Sequence, residues 1–464
     1  MYNFNFSFPD RITSIPVYIK TSVVARSFSS SSFTIRENAS NIQQISVGNV
    51  LSGSTADYAK LSSQSTTFIS NSSNIDISVI YNPPQSGSVG WLNYIELNAR
   101  RHLRMTGDQL LFRDSESVNN GLAGKFIISN TSNNINVWDI SDPINVSHRL
   151  TSFLGGELSF IADVDTLKDY VAFKPSNFLS PELIGKIDNQ DLHGNDHDVE
   201  YVIVSHPNFF SAANRLAQYH EQKNGLKTIV VTPQEIYNEF SSGTKDITAI
   251  RDFLRMFYKK PNNKLKYLLL FGDASYDQLN RITANTNYIP SFQSKNSISP
   301  TQSYITDDFF GLLDDYEGIF SNDLVDIGIG RFPVQTLAEA NNVVDKVLNY
   351  NSGLSIGDWR NMVAFVADDG DASDGNTHMW QADSLANIIA DKYSNINIDK
   401  IYLDSYNQES TPGGPRSSDA QKALNERVEK GALLINYSGH GGELGWTKER
   451  ILEINQINAW KNKT

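Results

Sequence analysis

The sequence predicts an α/β domain built on a parallel sheet with helices on both faces, preceded by an all-β, sandwich-like domain. Three observations carry this prediction. From residue 199 onward, short apolar runs alternate with segments of helical periodicity, as in a parallel sheet covered on both sides. Residues 1–174 are rich in Ser, Asn and Thr, and short apolar–polar alternations recur there between turn signals. Residues 175–198 read as a linker, with Pro175, Pro181, Gly185, Gly194 and a cluster of Asp and Asn. At 464 residues the chain is too long for one core, so two or three domains are expected.

In the first segment, strands are expected at 75–80, 90–97, 110–112, 124–128, 135–140, 158–161 and 170–173. Turn residues such as Asn82, Pro83 and Pro84, or Thr106, Gly107 and Asp108, separate them. His102 and His148 are isolated and read as surface or hydrogen-bonded residues. In the linker, His193 and His197 have the spacing of metal ligands on a helix, but Gly194 and Asn195 argue against a helix, so a solvated linker is expected.

In the second segment, strands are expected at 201–204, 228–231, 267–271, 326–330, 362–366, 398–402 and 432–436. Helices fall between them. Asp246 is placed to cap one whose Ile250, Phe253, Leu254 and Phe257 share a face. Thr336 and Glu339 have capping-box spacing, and Ser418 with Gln421 repeats it. Gly431 closes the last of these helices.

Ligands of parallel sheets bind at the carboxyl ends of the strands. That rule places Gly272 and Asp273, the acidic stretch 367–371, and the turn 438–441 on one rim. His440 stands between Gly439 and Gly441 at a strand end, where the backbone turns sharply and approaches a substrate closely. Imidazole suits proton transfer at neutral pH. A carboxylate beside it fixes its tautomer, and Asp368 or Asp369 is placed to do so. Asp371 and Asp374 read instead as solvated helix-capping residues. The loop 369–375 (DGDASDG) departs from a calcium-loop pattern by the place of its glycine, and a weaker carboxylate cation site stays open there and at Asp307, Asp308, Asp314 and Asp315.

Composition excludes several classes. The net charge of −13 argues against a general nucleic-acid binder. With no cysteine there is no disulfide, thiolate metal site or cysteine nucleophile in these residues. No phosphate-binding G-x-x-x-x-G-K-[ST] motif occurs, and the glycines around His440 miss the dinucleotide-loop spacing by one residue. Ser438 is too close to His440 in sequence to serve it as nucleophile, and Ser275 lacks the G-x-S-x-G elbow. The N-terminus has no signal-peptide pattern, and no run reaches membrane-helix length.

The stretch 436–446 (NYSGHGGELGW) resembles the histidine motif of gingipain-type cysteine peptidases, and 326–333 (DIGIGRFP), 269–273 (LLFGD) and 366–370 (VADDG) are similar to other segments of that family. The stretches 137–143 (VWDISDP), 185–193 (GKIDNQDLH) and 237–251 (YNEFSSGTKDITAIR) resemble its type IX secretion sortase branch, PorU. The resemblance implies a caspase/gingipain-like α/β fold over 199–464. It implies His440 as the partner of a catalytic thiol, the Gly441 amide as an oxyanion donor and Asp368 as the acid near the histidine. The family's cysteine follows the next strand after this histidine, so the domain is expected to be incomplete and the chain inactive alone.

A sortase of this branch is implied to remove the C-terminal sorting domain of exported cargo and join the cargo to anionic lipopolysaccharide. It would do so alongside outer-membrane secretion components, at the cell surface of a Bacteroidetes-type Gram-negative bacterium. No cofactor is required for that chemistry, and a structural calcium is left open. The alternatives are a secreted gingipain-like endopeptidase and a catalytically dead surface binding module.

Overall fold

A computed structural model describes residues 1–53, 55–183, 185–195, 198–318, 323–350 and 352–462. Two compact units result, one of residues 1–190 with 292–306 and the other of residues 191–291 with 307–464. The excursion 292–306 was not legible as part of the first unit. The Tyr58 amide donates to the Ile298 carbonyl at 2.8 Å and ties that excursion in place.

The first unit holds two pairs of antiparallel sheets, each pair with its own core, rather than one sandwich. In the first pair, one sheet runs Tyr2–Ser7, Asn74–Asn82, Ser31–Glu37, Ser40–Val47 and the other Lys60–Phe68, Val17–Arg26, Val89–Asn98. Ile19, Val23, Phe33, Ile35, Ile45, Ile75 and Ile77 fill the space between them. The second pair is built around Asn136–Asp139 with Tyr170–Phe173 and around Glu157–Asp163 with Ala123–Ile128. Its core is a cluster of rings, Phe112, Phe126, Phe160 and Tyr170, with centroids 5.1–6.3 Å apart. His102 and His148 are exposed, as expected.

In the second unit the described parallel strands form two sheets, not one. The first has the order Thr228–Val231, Tyr201–Ser205, Tyr267–Phe271, Gly328–Phe332. Every residue of Tyr201–Ser205 is buried, the mark of a strand covered on both faces. The capping expectations hold here. Asp246 accepts from the Thr248 amide at 2.8 Å, and Thr336 and Glu339 exchange hydrogen bonds of 3.2 and 3.3 Å. The Thr232–Glu235 capping box opens a further helix, Pro233–Phe240. His193 is exposed, as a solvated linker residue would be, but it is also anchored: its ring stacks on Phe240 and its Nδ1 lies 2.8 Å from the Glu239 carboxylate. His197 and Asp196 lie outside the described residues.

The second sheet has the order Asn397–Tyr402, Met362–Ala367, Leu434–Ser438. Val363, Phe365 and Ala367 face Ala382 and Ala386 of the helix Thr377–Lys392. Val366 and Ile401 face Ala420, Leu424 and Val428 of the helix Ser418–Lys430 on the other side. Gly431 ends that helix with φ +84°, a backbone conformation suited to glycine. The Ser418–Gln421 box does not form. Ser417 is the N-cap, and the Gln421 side chain donates instead to the Arg450 carbonyl and to Gln456. Leu434–Ser438 is an edge strand among the described residues, and Leu433 and Leu434 are exposed.

Candidate active site

The site is built where two neighbouring parallel strands end. Met362–Ala367 runs into Asp368, and Leu434–Ser438 into Gly439 and His440. The Asp368 amide donates to the Ser438 carbonyl at 3.0 Å, which extends the ladder by one step and brings the two turns together. Asp368 is 4% exposed. Its Oδ2 accepts from the His440 backbone amide at 3.0 Å and lies 3.0 Å from His440 Nδ1, while Oδ1 accepts from the Asp369 amide at 3.1 Å. A buried carboxylate held this way orients the ring, fixes the proton on Nδ1 and leaves Nε2 as the working nitrogen. The His440 side chain is about half exposed.

Gly439 allows this approach. A Cβ there would lie 2.5 Å from the Asp368 Cβ and 2.5 Å from the Tyr437 hydroxyl. The Tyr437 hydroxyl donates to the His440 carbonyl, which also accepts from the Thr447 amide at 3.0 Å. Burial, and then the Asp368 charge, hold the Tyr437 phenol well above its ordinary pKa, so it remains a donor. Its ring stacks on Trp446 at 4.2 Å. Gly441 and Gly442 pair with Trp446 and Gly445 in a short hairpin beyond the histidine. His440, Gly441, Gly442, Thr447 and Lys448 line part of a cavity of about 520 Å³.

Two residues next to His440 were not expected in this role. Asp374 is not a solvated cap: its Oδ2 lies 3.4 Å from His440 Nε2 and 3.0 Å from His378 Nε2. The His378 and His440 rings meet edge to face at 4.9 Å. His378 sits one helical turn after Asp374, and that spacing is the sequence signal that could have found it. Asp371 shapes the loop, accepting from the Ser373 hydroxyl and amide and from the Asp374 amide, and these bonds hold its carboxyl well below the usual range.

The loop 369–375 does not suit a calcium ion. Asp369 accepts from Gln408, Asp371 turns to Ser373 and Lys448, and Asp374 turns to the histidines, so the carboxylates diverge. Three carboxylates do converge at Asp368, Asp369 and Glu449. Glu449 is 5% exposed, and one of its oxygens has no hydrogen-bond partner. Burial, then the charges of Asp369 and Asp368, push its carboxyl up.

Gly272 and Asp273 belong to the other sheet and do not share a rim with His440. Gly272 is part of a structural lock, and Asp273 accepts from Thr286 and Gln335. Arg331 forks onto Asp307 with two bonds of 2.7 Å and donates to the carbonyls of Gly272, Ile289 and Pro290. Asp314 and Asp315 are likewise engaged, by Tyr258 and by Arg255 and Lys259, so this acidic stretch is paired rather than an open cation site. Ser275 accepts from the Asp277 amide in the loop after Tyr267–Phe271, and the Ser438 hydroxyl lies near His378 and Gln381.

Residues 195–464 match the model of peptidase family C25. Gingipain R2 and gingipain R1 of Porphyromonas gingivalis are each 25% identical to the chain over 233 residues, which is 49% of this chain and 25% and 19% of those proteins. The solved structure of dimeric latent PorU from Porphyromonas gingivalis matches with a TM-score of 0.66 at 24% identity, over 98% of this chain and 40% of that one. The chain thus spans a quarter or less of these curated relatives and less than half of the PorU chain. The structural likeness shows the fold, caspase/gingipain-like α/β architecture preceded by β-sheet layers. With the family model matched across more than half its length, the chain belongs to peptidase family C25, a family of cysteine peptidases.

Proposed function

We propose that this chain carries the histidine half of a cysteine-type sortase of the type IX secretion system. The protein would remove the C-terminal sorting domain of exported cargo and attach the cargo to anionic lipopolysaccharide at the outer cell surface. The observation that carries the proposal is the Asp368–His440 pair, with a buried acid on Nδ1 and a half-exposed imidazole. The sortase reading over the gingipain reading is supported by the branch-like stretches at 137–143, 185–193 and 237–251. The extent of the PorU likeness, over 98% of this chain against 49% for the gingipains, agrees with it.

On this reading the nucleophile is a cysteine outside these residues, since the sequence contains none. Its thiolate attacks the scissile carbonyl, and His440 Nε2 takes the thiol proton and returns it to the leaving amine. Asp368 stabilises the imidazolium between those steps. The Gly441 amide is the proposed donor to the developing oxyanion. An amine that replaces water in the second step turns hydrolysis into transpeptidation. The test is His440→Ala in the thiol-bearing protein. Cargo should then keep its sorting domain, and normal cargo maturation would refute the assignment. Cleavage of short peptides after Arg or Lys by the unaltered protein would favour the gingipain-like endopeptidase instead.

A further inference from the structure

We propose that Asp374, His378 and His440 form a binding site for a transition-metal dication of the zinc type, and that its occupancy locks His440 out of proton transfer. The second half rests on the role proposed above for His440; the binding half does not.

The three side chains bring Asp374 Oδ2, His378 Nε2 and His440 Nε2 within 4.8 Å of one another. Two of the separations are 3.0 and 3.4 Å. A tetrahedral zinc ion with ligand bonds of about 2.0 Å places its ligand atoms about 3.3 Å apart. Those two separations bracket that value, and the third lies within 4.8 Å.

Both imidazoles present Nε2 to the shared point because each Nδ1 faces elsewhere. His440 Nδ1 lies 3.0 Å from Asp368, and His378 Nδ1 lies 3.5 Å from the Ser438 hydroxyl. A carboxylate behind a metal-binding imidazole is the usual outer partner of such a ligand. An independent observation concerns the inner atoms. His378 Nε2 is buried and, although 3.0 Å from Asp374 Oδ2, makes no aligned hydrogen bond; Asp374 Oδ1 is also buried and unbonded. Buried polar atoms are rarely left so, and an ion held by Asp374 Oδ2 would give His378 Nε2 a partner.

The donor set decides the class of ion. Two imidazoles and one carboxylate suit zinc or a neighbouring first-row metal, whereas calcium and magnesium require more oxygen ligands. The half-exposed face of His440 leaves a fourth position to water. Metal on Nε2 and proton transfer through Nε2 exclude each other, so the ion would act as a reversible lock.

The test begins with this chain and Zn²⁺ alone, followed by calorimetry, with Co²⁺ as a coloured probe in a parallel titration. One ion per chain and a tetrahedral cobalt spectrum are expected. Asp374→Asn and His378→Gln should each weaken binding by more than about tenfold, because even loss of an outer partner costs that much. His102→Gln, on an exposed residue of the first unit, should leave it unchanged, and matched circular dichroism confirms that the variants fold. No saturable binding, or binding unaltered in both Asp374→Asn and His378→Gln, overturns the site and leaves an Asp–His contact network in its place. In the thiol-bearing protein, Zn²⁺ should inhibit in the range that saturates this chain, and His378→Gln should blunt that inhibition by the same factor. Zinc binding without such inhibition would overturn the lock while the site itself stands.

Discussion

Asp368 and His440 are joined twice: one carboxylate oxygen accepts from the histidine's backbone amide and faces its ring nitrogen, each at 3.0 Å. The double contact sets both the position of the turn and the tautomer of the ring. Asp368→Asn keeps the shape but offers the wrong donor to Nδ1. In the thiol-bearing protein we expect kcat to fall by roughly 10³- to 10⁴-fold with the fold retained. Steady-state kinetics beside a thermal melt checks this, and near-normal turnover would remove Asp368 from the mechanism.

Gly439 supports that contact by the absence of a side chain. Gly439→Ala puts a Cβ against Asp368 and the Tyr437 hydroxyl, so the strand ends must separate. The expected loss is about 1–3 kcal/mol of stability, as for other overpacked sites. Urea denaturation measures it, and an unchanged midpoint would show that the turn yields freely.

Glu449 gives the site a pH dependence of defined sign. Its carboxyl is raised by burial and by its acidic neighbours, so the folded chain holds a proton that the unfolded chain releases. Between the ordinary and the raised pKa, stability therefore falls as pH rises. Glu449→Gln should remove that slope and stabilise the neutral-pH form by about 1 kcal/mol, by supplying donors toward Asp369. Melting curves across weakly acidic to neutral pH decide it; a slope retained in the variant would place the titration elsewhere.

Arg331 tests the structural reading of the first parallel sheet. Arg331→Met leaves Asp307 and three carbonyls without their donor. We expect a loss of about 3 kcal/mol, because a mostly buried charge loses its partner. Chemical denaturation reports it, and a neutral result would mean that water replaces the guanidinium.

The 464-residue chain alone should not cleave peptides through a thiol mechanism, because it contains no cysteine. Incubation with labelled cargo-derived peptides, with and without a thiol-alkylating reagent, tests this. Turnover abolished by the reagent would contradict it.

The α/β segment was legible because its strands are continuous apolar runs such as Tyr267–Phe271, and its helices carry regular apolar stripes. The Asp368–His440 pairing was legible because both residues follow strand ends. Other features were hidden for physical reasons. Lys60–Phe68 (KLSSQSTTF) forms a strand with mostly polar or exposed positions, so its pairing with Val17–Arg26 leaves little mark on composition. The division into two parallel sheets depends on which strands pair, and apolar runs alone do not encode that. Asp374 reads as a helix cap in isolation; only the three-dimensional meeting of its turn with the Leu434–Ser438 strand end sets it beside His440.

The edge position of Leu434–Ser438 has a practical bearing on the isolated chain. Among the described residues, a row of unpaired backbone donors and acceptors beside exposed Leu433 and Leu434 is an adhesive border, ready to zip onto any extended segment that presents itself. At high concentration two chains offer each other that border. Dilute handling, or a short capping strand fused in cis, should therefore govern whether this protein stays dispersed or gels.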